Sequence, residues 1–151
     1  RRLSTTLPDP DGAGGQSAPV SSTTYDDAGN VLTETDALGN VTTYEYDDLN
    51  RVIKITSPDP DGAGSLTSPV TEYAYDEFGQ MVTMTDPNGG ETTYEYDDLG
   101  RKVREIYADP DGAGALTSPE VSYVYDASGQ MTSMTDELGT VTSYEYDNLG
   151  R

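Results

Sequence analysis

The residues with the clearest chemical potential are aspartate pairs in an acidic hexapeptide, Asp-Pro-Asp-Gly-Ala-Gly, that occurs three times, at residues 9–14, 59–64 and 109–114. Two carboxylates two residues apart, followed by glycines, are typical of loops that fold oxygen atoms around calcium. An alternative is a rigid turn in which proline presets φ and aspartate binds nearby amides. In each copy an alanine stands where a third ligand would be expected. The candidate calcium ligands are Asp9, Asp11, Asp59, Asp61, Asp109 and Asp111.

Tyrosines form a second candidate site, because pairs two residues apart in a strand point to the same face. Such a face could stack on sugars and serve as a ligand platform. The alternative, which we favour, is a core, because the chain is only 33% hydrophobic and tyrosine can bury its ring while its hydroxyl meets water. The pairs are Tyr44 and Tyr46, Tyr73 and Tyr75, Tyr94 and Tyr96, Tyr123 and Tyr125, and Tyr144 and Tyr146.

Catalysis is not expected. The chain has no histidine and no cysteine, so a nucleophile–imidazole pair or a soft metal site cannot form from its residues. Acidic pairs such as Asp47 and Asp48 recur in copy after copy, whereas a catalytic centre needs a unique pocket that tunes pKa values. We therefore predict a protein that is not an enzyme and that has no cofactor other than the candidate calcium.

The charge balance argues against two classes of binding partner. With 28 acidic against 8 basic residues, the net charge is −20, which argues against binding to nucleic acid or to an anionic membrane surface. No apolar run is long enough to span a bilayer, so no membrane insertion is expected for this segment. Low hydrophobicity with high charge is typical of disorder. The apolar residues lie in short alternating runs between turn signals, however, which favours strands instead.

Every motif recurs with a period of 50 residues, so tandem repeats must position them. The stretch YEYDDLNR at residues 44–51 returns as YEYDDLGR at 94–101 and as YEYDNLGR at 144–151, with looser copies at 73–80 and 123–130. We divide the chain into repeat unit 1 (1–50), repeat unit 2 (51–100) and repeat unit 3 (101–151). We interpret the chain as an excerpt of a longer array.

The pattern Asp-x-x-Gly separates the short runs and predicts tight turns, since aspartate favours the first turn position and glycine the left-handed one. Asn50 replaces this glycine once, and asparagine tolerates a left-handed backbone. Tight turns between consecutive strands require antiparallel pairing. The predicted fold is all-β: tandem antiparallel β-hairpins in a continuous, spiralling, solenoid-like ribbon. Each 50-residue unit supplies about four strands, which in the middle unit span residues 51–56, 70–75, 81–85 and 91–96.

The motif Tyr-x-Tyr-Asp-x-x-Gly-Arg, followed by a β-branched strand, resembles the YD repeat, also called the RHS repeat. The resemblance covers the whole chain in about six YD units. It implies a β-ribbon that spirals on itself, as in the hollow shells around toxin domains and in the barrel of the teneurin adhesion proteins. It also implies an extracellular or exported protein whose repeats do no catalysis.

A strict 50-residue period favours a regular rod, because identical units joined by identical operations generate a helix. Our first hypothesis is therefore a structural extracellular fibre or cell-surface stalk, whose partners are neighbouring repeats of the same array. The alternatives are an adhesin that binds carbohydrate or a cell-surface receptor, and a segment of a toxin-encapsulating RHS shell.

Overall fold

The computed structural model describes residues 3–8, 18–62, 64–112 and 116–151. These ranges contain twelve β-strands and no helix. The strands are β1 (Ser4–Thr6), β2 (Val20–Tyr25), β3 (Val31–Thr35), β4 (Val41–Tyr46), β5 (Val52–Thr56), β6 (Val70–Tyr75), β7 (Met81–Thr85), β8 (Glu91–Tyr96), β9 (Lys102–Ile106), β10 (Glu120–Tyr125), β11 (Met131–Thr135) and β12 (Val141–Ser143).

The chain divides into two compact units, Arg1–Tyr73 and Ala74–Arg151. Within each unit the strands lie side by side in chain order, and the pairing is antiparallel throughout. The predicted all-β ribbon of consecutive antiparallel hairpins is therefore confirmed. So is the expectation of four strands per 50 residues, and the middle strands begin and end within one residue of their predicted bounds. No helix in the described ranges is long and apolar enough to cross a membrane.

A β-bulge at the second tyrosine of the motif directly precedes several of the turns. The register shifts between Glu95 and Tyr96, just before the turn at residues 97–100. Gly100 closes that turn with φ of +79°, and its amide donates to the Asp97 carbonyl at 2.9 Å. Asn50 occupies the same place with φ of +61°, the one left-handed non-glycine backbone among the described residues. The turn chemistry predicted from Asp-x-x-Gly is therefore confirmed, including its asparagine variant.

The tyrosine pairs share the less exposed face of their strands. In β8, Tyr94 and Tyr96 are half-buried, whereas Glu95 between them is exposed. The same alternation places Val124 on the exposed side of β10. Among the described residues only Val121 and Thr92 are less than 9% exposed. The tyrosines thus form the covered face of the ribbon, although their burial is partial and differs from the buried core we expected. The reason is that within each unit the strands form a single layer.

In three of the pairs, the hydroxyl of the second tyrosine also forms a hydrogen bond to the preceding strand. Its hydroxyl donates to the carbonyl of the first residue of that strand. The observed bonds run from Tyr96 to Met81 at 2.9 Å, from Tyr125 to Lys102 at 2.8 Å and from Tyr146 to Met131 at 2.8 Å. In β8 and β10 the bulge interrupts the ladder to the following strand, whereas this bond joins the tyrosine to the preceding strand, beyond the last residue pair of that ladder.

The opposite face carries ion pairs between neighbouring strands. Lys54 lies 3.3 Å from Glu45, and Arg104 lies 3.6 Å from Glu95 and also pairs with Glu120. These side chains are 34–58% exposed, so each pair contributes little to stability. Their effect is to keep one face of the ribbon charged while the other is aromatic.

The tyrosine hydroxyl bond can be tested with Tyr125→Phe. Loss of the donor to the Lys102 carbonyl should lower the free energy of unfolding by about 1 kcal/mol, the usual net value of such a bond. Tyr123→Phe is the matched control, because within the described residues its hydroxyl makes no protein hydrogen bond. Urea unfolding of both variants measures the difference. Equal losses in the two would contradict the pinning role.

Candidate functional site

The repeated turn is the chemical unit of this chain, and it is built around an aspartate carboxylate. One oxygen of Asp97 accepts from the amides of Leu99 and Arg101, both at 3.0 Å. The other oxygen accepts from Arg101 Nε at 2.7 Å and lies 2.6 Å from its Nη2. A single side chain thereby caps the turn, binds the start of the next strand and holds a guanidinium. The same arrangement recurs at Asp47 and Asp147.

The other turns keep the carboxylate and change its partner. Asp36 accepts from the amides of Leu38 and Asn40 at 2.8 and 2.9 Å, and the Asn40 side-chain amide donates to its second oxygen at 2.8 Å. The bond from the amide two residues on is the usual one for aspartate at the first position of a turn. The second bond, to the residue four positions on, fixes the entry of the next strand and was not predicted from the sequence.

These bonds hold the carboxylates in the ionised form. The side chain of Arg101, followed by its backbone amide, lowers the pKa of Asp97 below its ordinary value of 3.8. The backbone amide of Arg51 is the main cause of the lowered pKa of Asp47, and the side chain of Asn40 of that of Asp36. A carboxylate that is more acidic than usual is an acceptor at neutral pH, so these groups suit a structural role rather than proton transfer.

The last residue of the motif links one turn to the next along the same edge. Arg101 Nη1 donates to the carbonyl of Asp126 at 3.2 Å, and its guanidinium carbon lies 4.7 Å from the centre of the Tyr125 ring. In the other unit, Asn30 Nδ2 donates to Asn50 Oδ1 at 2.7 Å. Within each unit, therefore, neighbouring turns are joined by side chains as well as by the strands between them.

The acidic hexapeptides show the geometry of a capped loop. Asp9 and Asp11 lie outside the described residues. The Asp61 amide donates to Asp59 Oδ1 at 3.1 Å, and Asp61 Oδ2 accepts from the amides of Ser65 and Leu66 at 2.8 and 3.1 Å. The bond from the Leu66 amide is the main cause of the lowered pKa of Asp61. The third copy repeats the bond from Asp111 to Asp109 at 3.1 Å.

The rigid-turn alternative accounts for these bonds. Within the described ranges, no three histidine, cysteine, aspartate or glutamate residues come together as a metal-binding group. Calcium binding at Asp59, Asp61, Asp109 and Asp111, and at Asp9 and Asp11, stays a prediction.

A charged pair on the tyrosine face, Lys102 and Glu105, was not identified from the sequence. Lys102 Nζ lies 5.4 and 5.3 Å from the ring centres of Tyr94 and Tyr123, and 2.6 Å from Glu105 Oε2. Burial opposes the charge, but the hydrogen bond and the charge of Glu105 leave the pKa of Lys102 raised. The signal was present in the sequence, because Val52 and Ile55 occupy the equivalent positions 50 residues earlier. We overlooked it because repeat comparison emphasises what the copies share.

The turn carboxylate makes folding depend on pH. The pKa of Asp97 is lower in the folded protein than its ordinary value of 3.8, so its stabilising effect is complete above about pH 4. It is lost as the pH falls through the folded pKa. Asp97→Asn should therefore lower the Tm at neutral pH and flatten its decline in acid. The Tm is measured from neutral pH to about pH 2.

Asp98→Asn is the matched control for this experiment, because it removes the same charge from the neighbouring residue, and the third copy carries Asn148 there. Its Tm should follow that of the unmodified chain. If the two variants decline alike in acid, general charge rather than the turn carboxylate governs acid stability.

Calcium binding predicts a response to chelation. If the hexapeptide loops hold calcium, EDTA should lower the Tm of calcium-equilibrated protein, because a ligand bound only to the folded state stabilises it. Asp59→Asn and Asp61→Asn together should abolish this response in the second loop. A Tm that is the same with calcium and with EDTA would overturn the calcium hypothesis and leave the capped loop as the full account.

Comparisons with known proteins agree with this geometry. The family model for the RHS Repeat matches residues 25–63, 61–91, 75–113 and 125–151. No curated protein sequence matches the chain. Among solved structures, TcdB2-TccC3-TEV is similar over 99% of this chain with a TM-score of 0.75 and 20% identity. TcdB2-TccC3-Cdc42 is similar over 91% with a TM-score of 0.73 and 21% identity.

The chain spans 8% and 7% of the length of those two structures, so the likeness concerns their fold and not their whole activity. The family model, in contrast, covers most of this chain and includes each Tyr-x-Tyr-Asp turn from residue 25 to residue 113 and from residue 125 onward. The resemblance found in the motif is confirmed, and the chain belongs to the RHS repeat family.

Proposed function

We propose that this chain forms a stretch of the wall of an RHS shell, a hollow β-structure that encloses a polypeptide cargo. The observation that carries the proposal is the fold likeness to the TcdB2-TccC3 structures, which extends over 89–99% of the chain at TM-scores of 0.72–0.75. Family membership supports the same assignment, because RHS repeats build shells around toxin domains. The shell therefore replaces the fibre as our favoured function.

The ribbon has two chemically different faces, as the wall of a shell would need. One face carries the half-buried tyrosines and the hydroxyl bonds that pin strands together, and the other carries exposed ion pairs such as Lys54 with Glu45. A wall has an inner and an outer side that meet different surroundings, so a ribbon with two different faces is suited to it.

Continuous pairing also suits a wall. Within each unit the strands between the first and the last are hydrogen-bonded on both sides. Side chains such as Arg101 also bond one turn to its neighbour. Strand edges that are paired do not offer sites for aggregation. The ribbon can therefore be long and thin without a conventional core.

The fibre remains a second candidate because of the 50-residue period of the motif. Units that are related by one repeated operation generate an open helix unless the rotation closes. The period therefore favours a filament, whereas the fold likeness favours a shell. Binding of carbohydrate or a receptor stays a prediction that would use the tyrosine face.

The proposal assigns the repeats a structural role and no catalysis. The turn carboxylates are held as acceptors by their own amides, and they recur in every copy, as a scaffold requires. We further propose that the protein is exported, as the family implies, and that neighbouring repeats are its main contacts.

A protease protection experiment tests the shell. The native protein that contains this array is incubated with trypsin, and cleavage of the polypeptide cargo that the shell would enclose is timed against the same polypeptide produced alone. Because this stretch has only 8 lysines and arginines in 151 residues, it offers trypsin few sites of its own. A shell predicts strong protection that is lost on denaturation. Equal cleavage rates would overturn the shell and favour the fibre.

A further inference from the structure

A cleft of about 700 Å³ lies in the second unit, between the turn after β6 and the turn after β8. Phe78 stands at its rim with 81% of its surface exposed. It is the one phenylalanine of the sequence. An apolar ring this exposed contributes little to folding and is available for contact with another molecule.

The cleft combines aromatic rings with an aliphatic floor. Tyr94 and Tyr96 line it from the covered face of β8. Met84 pairs with Thr92 in the β7–β8 register, and Val82 and Tyr94 each lie two residues from one of this pair, so their side chains share that face. The Tyr96 hydroxyl is fixed by its bond to the Met81 carbonyl. The rings of Tyr94, Tyr96 and Phe78 therefore border one recess, and one of them is held in place.

The lining is also acidic. Asp76, Asp97 and Asp98 contribute to it, with Glu95 from the charged face of β8. A neighbouring cation on the tyrosine face is Lys102, whose Nζ lies 5.4 Å from the Tyr94 ring centre. Asp76 caps its own turn, Asp97 is paired with Arg101, and Glu95 lies 3.6 Å from Arg104. Asp98 differs, because no hydrogen bond or ion pair within the described residues involves its carboxylate. The cleft thus holds a carboxylate that the fold does not use beside an exposed ring.

We propose that the Phe78 cleft binds a cationic side chain, arginine or lysine, from a basic polypeptide segment. A cation is attracted to the face of an aromatic ring, and a nearby carboxylate adds a direct ion pair. The protein already uses this chemistry internally, since the Arg101 guanidinium carbon lies 4.7 Å from the Tyr125 ring centre and Lys102 Nζ lies 5.3 Å from that of Tyr123.

Charge decides which occupant fits. A second copy of this chain would bring its own net charge of −20 to an acidic recess, so repulsion disfavours it. A basic segment gains from the same charge. This assignment does not depend on whether the array closes into a shell, because it uses only residues of one unit.

The other copies of the motif provide natural controls. The residue equivalent to Phe78 is Ala28 in the first copy and Ser128 in the third, and Asn148 replaces Asp98 in the third. The site is thus specific to the second copy. Phe78→Ser and Asp98→Asn each convert it toward a sequence that the same fold already accepts in the third copy, so neither change should prevent folding.

The experiment uses the chain with ¹³C-labelled phenylalanine, which gives NMR signals from Phe78 alone. A capped tetra-arginine peptide is the probe, and capped tetra-lysine tests whether the planar guanidinium matters. We expect a saturable shift of the Phe78 ring signals that weakens as salt is raised. With a dye-labelled peptide, anisotropy should show that Phe78→Ser binds about two- to fivefold more weakly, and Asp98→Asn should also weaken binding.

Leu99→Ser is the matched control, because Leu99 is 75% exposed on the next turn but does not line the cleft, and its binding should be unchanged. Three results would overturn the proposal. One is no binding of either peptide. Another is binding that leaves the Phe78 signals unmoved or that is equal in Phe78→Ser, which would show non-specific attraction to an acidic chain. The third is a Phe78 shift that depends on protein concentration without peptide, which would show a second copy as the occupant.

Discussion

The carboxylate that heads each turn is the group on which the remaining structure depends. In nine turns, from Asp26 to Asp147, one carboxylate oxygen accepts two backbone amides of the following residues. The second of these amides always belongs to the residue four positions on, which in the first eight of these turns directly precedes the next strand. Strand spacing and register are therefore set locally, turn by turn. A chain that is only one-third hydrophobic can form a sheet in this way, because local hydrogen bonds in the turns, and not a buried core, fix where its strands lie.

Tyrosine complements this turn chemistry. The aspartate fixes the edge of the ribbon, and the tyrosine two places before the strand end covers one face beside its partner ring. The second tyrosine also bonds to the preceding strand through its hydroxyl, as Tyr125 does to Lys102. Together the two residue types explain why the motif reads Tyr-x-Tyr-Asp. A charged residue between the tyrosines, such as Glu95, is tolerated because that position is on the charged face. A ribbon with a covered face and a charged face follows from the same alternation.

Much of this could be predicted from the sequence, because the determinants are local. Asp-x-x-Gly gave the turns, the left-handed Asn50 and the bounds of strands such as Val70–Tyr75 within a residue. The degree of burial could not be predicted, since it depends on what covers the tyrosine face and not on alternation. Lys102 between two rings and the exposed Phe78 were also missed. At each of these positions one copy carries a residue that the other copies lack, so the repeat pattern does not predict it.

The shell and the fibre differ in how the ribbon closes, and closure depends on the small rotation between successive units rather than on any one contact. Electron microscopy of the native protein that contains this array tests the central claim most directly. The shell predicts compact hollow particles of uniform size with density inside. Uniform filaments with an axial repeat of about 19 Å, the width of four strands in a 50-residue unit, would contradict it.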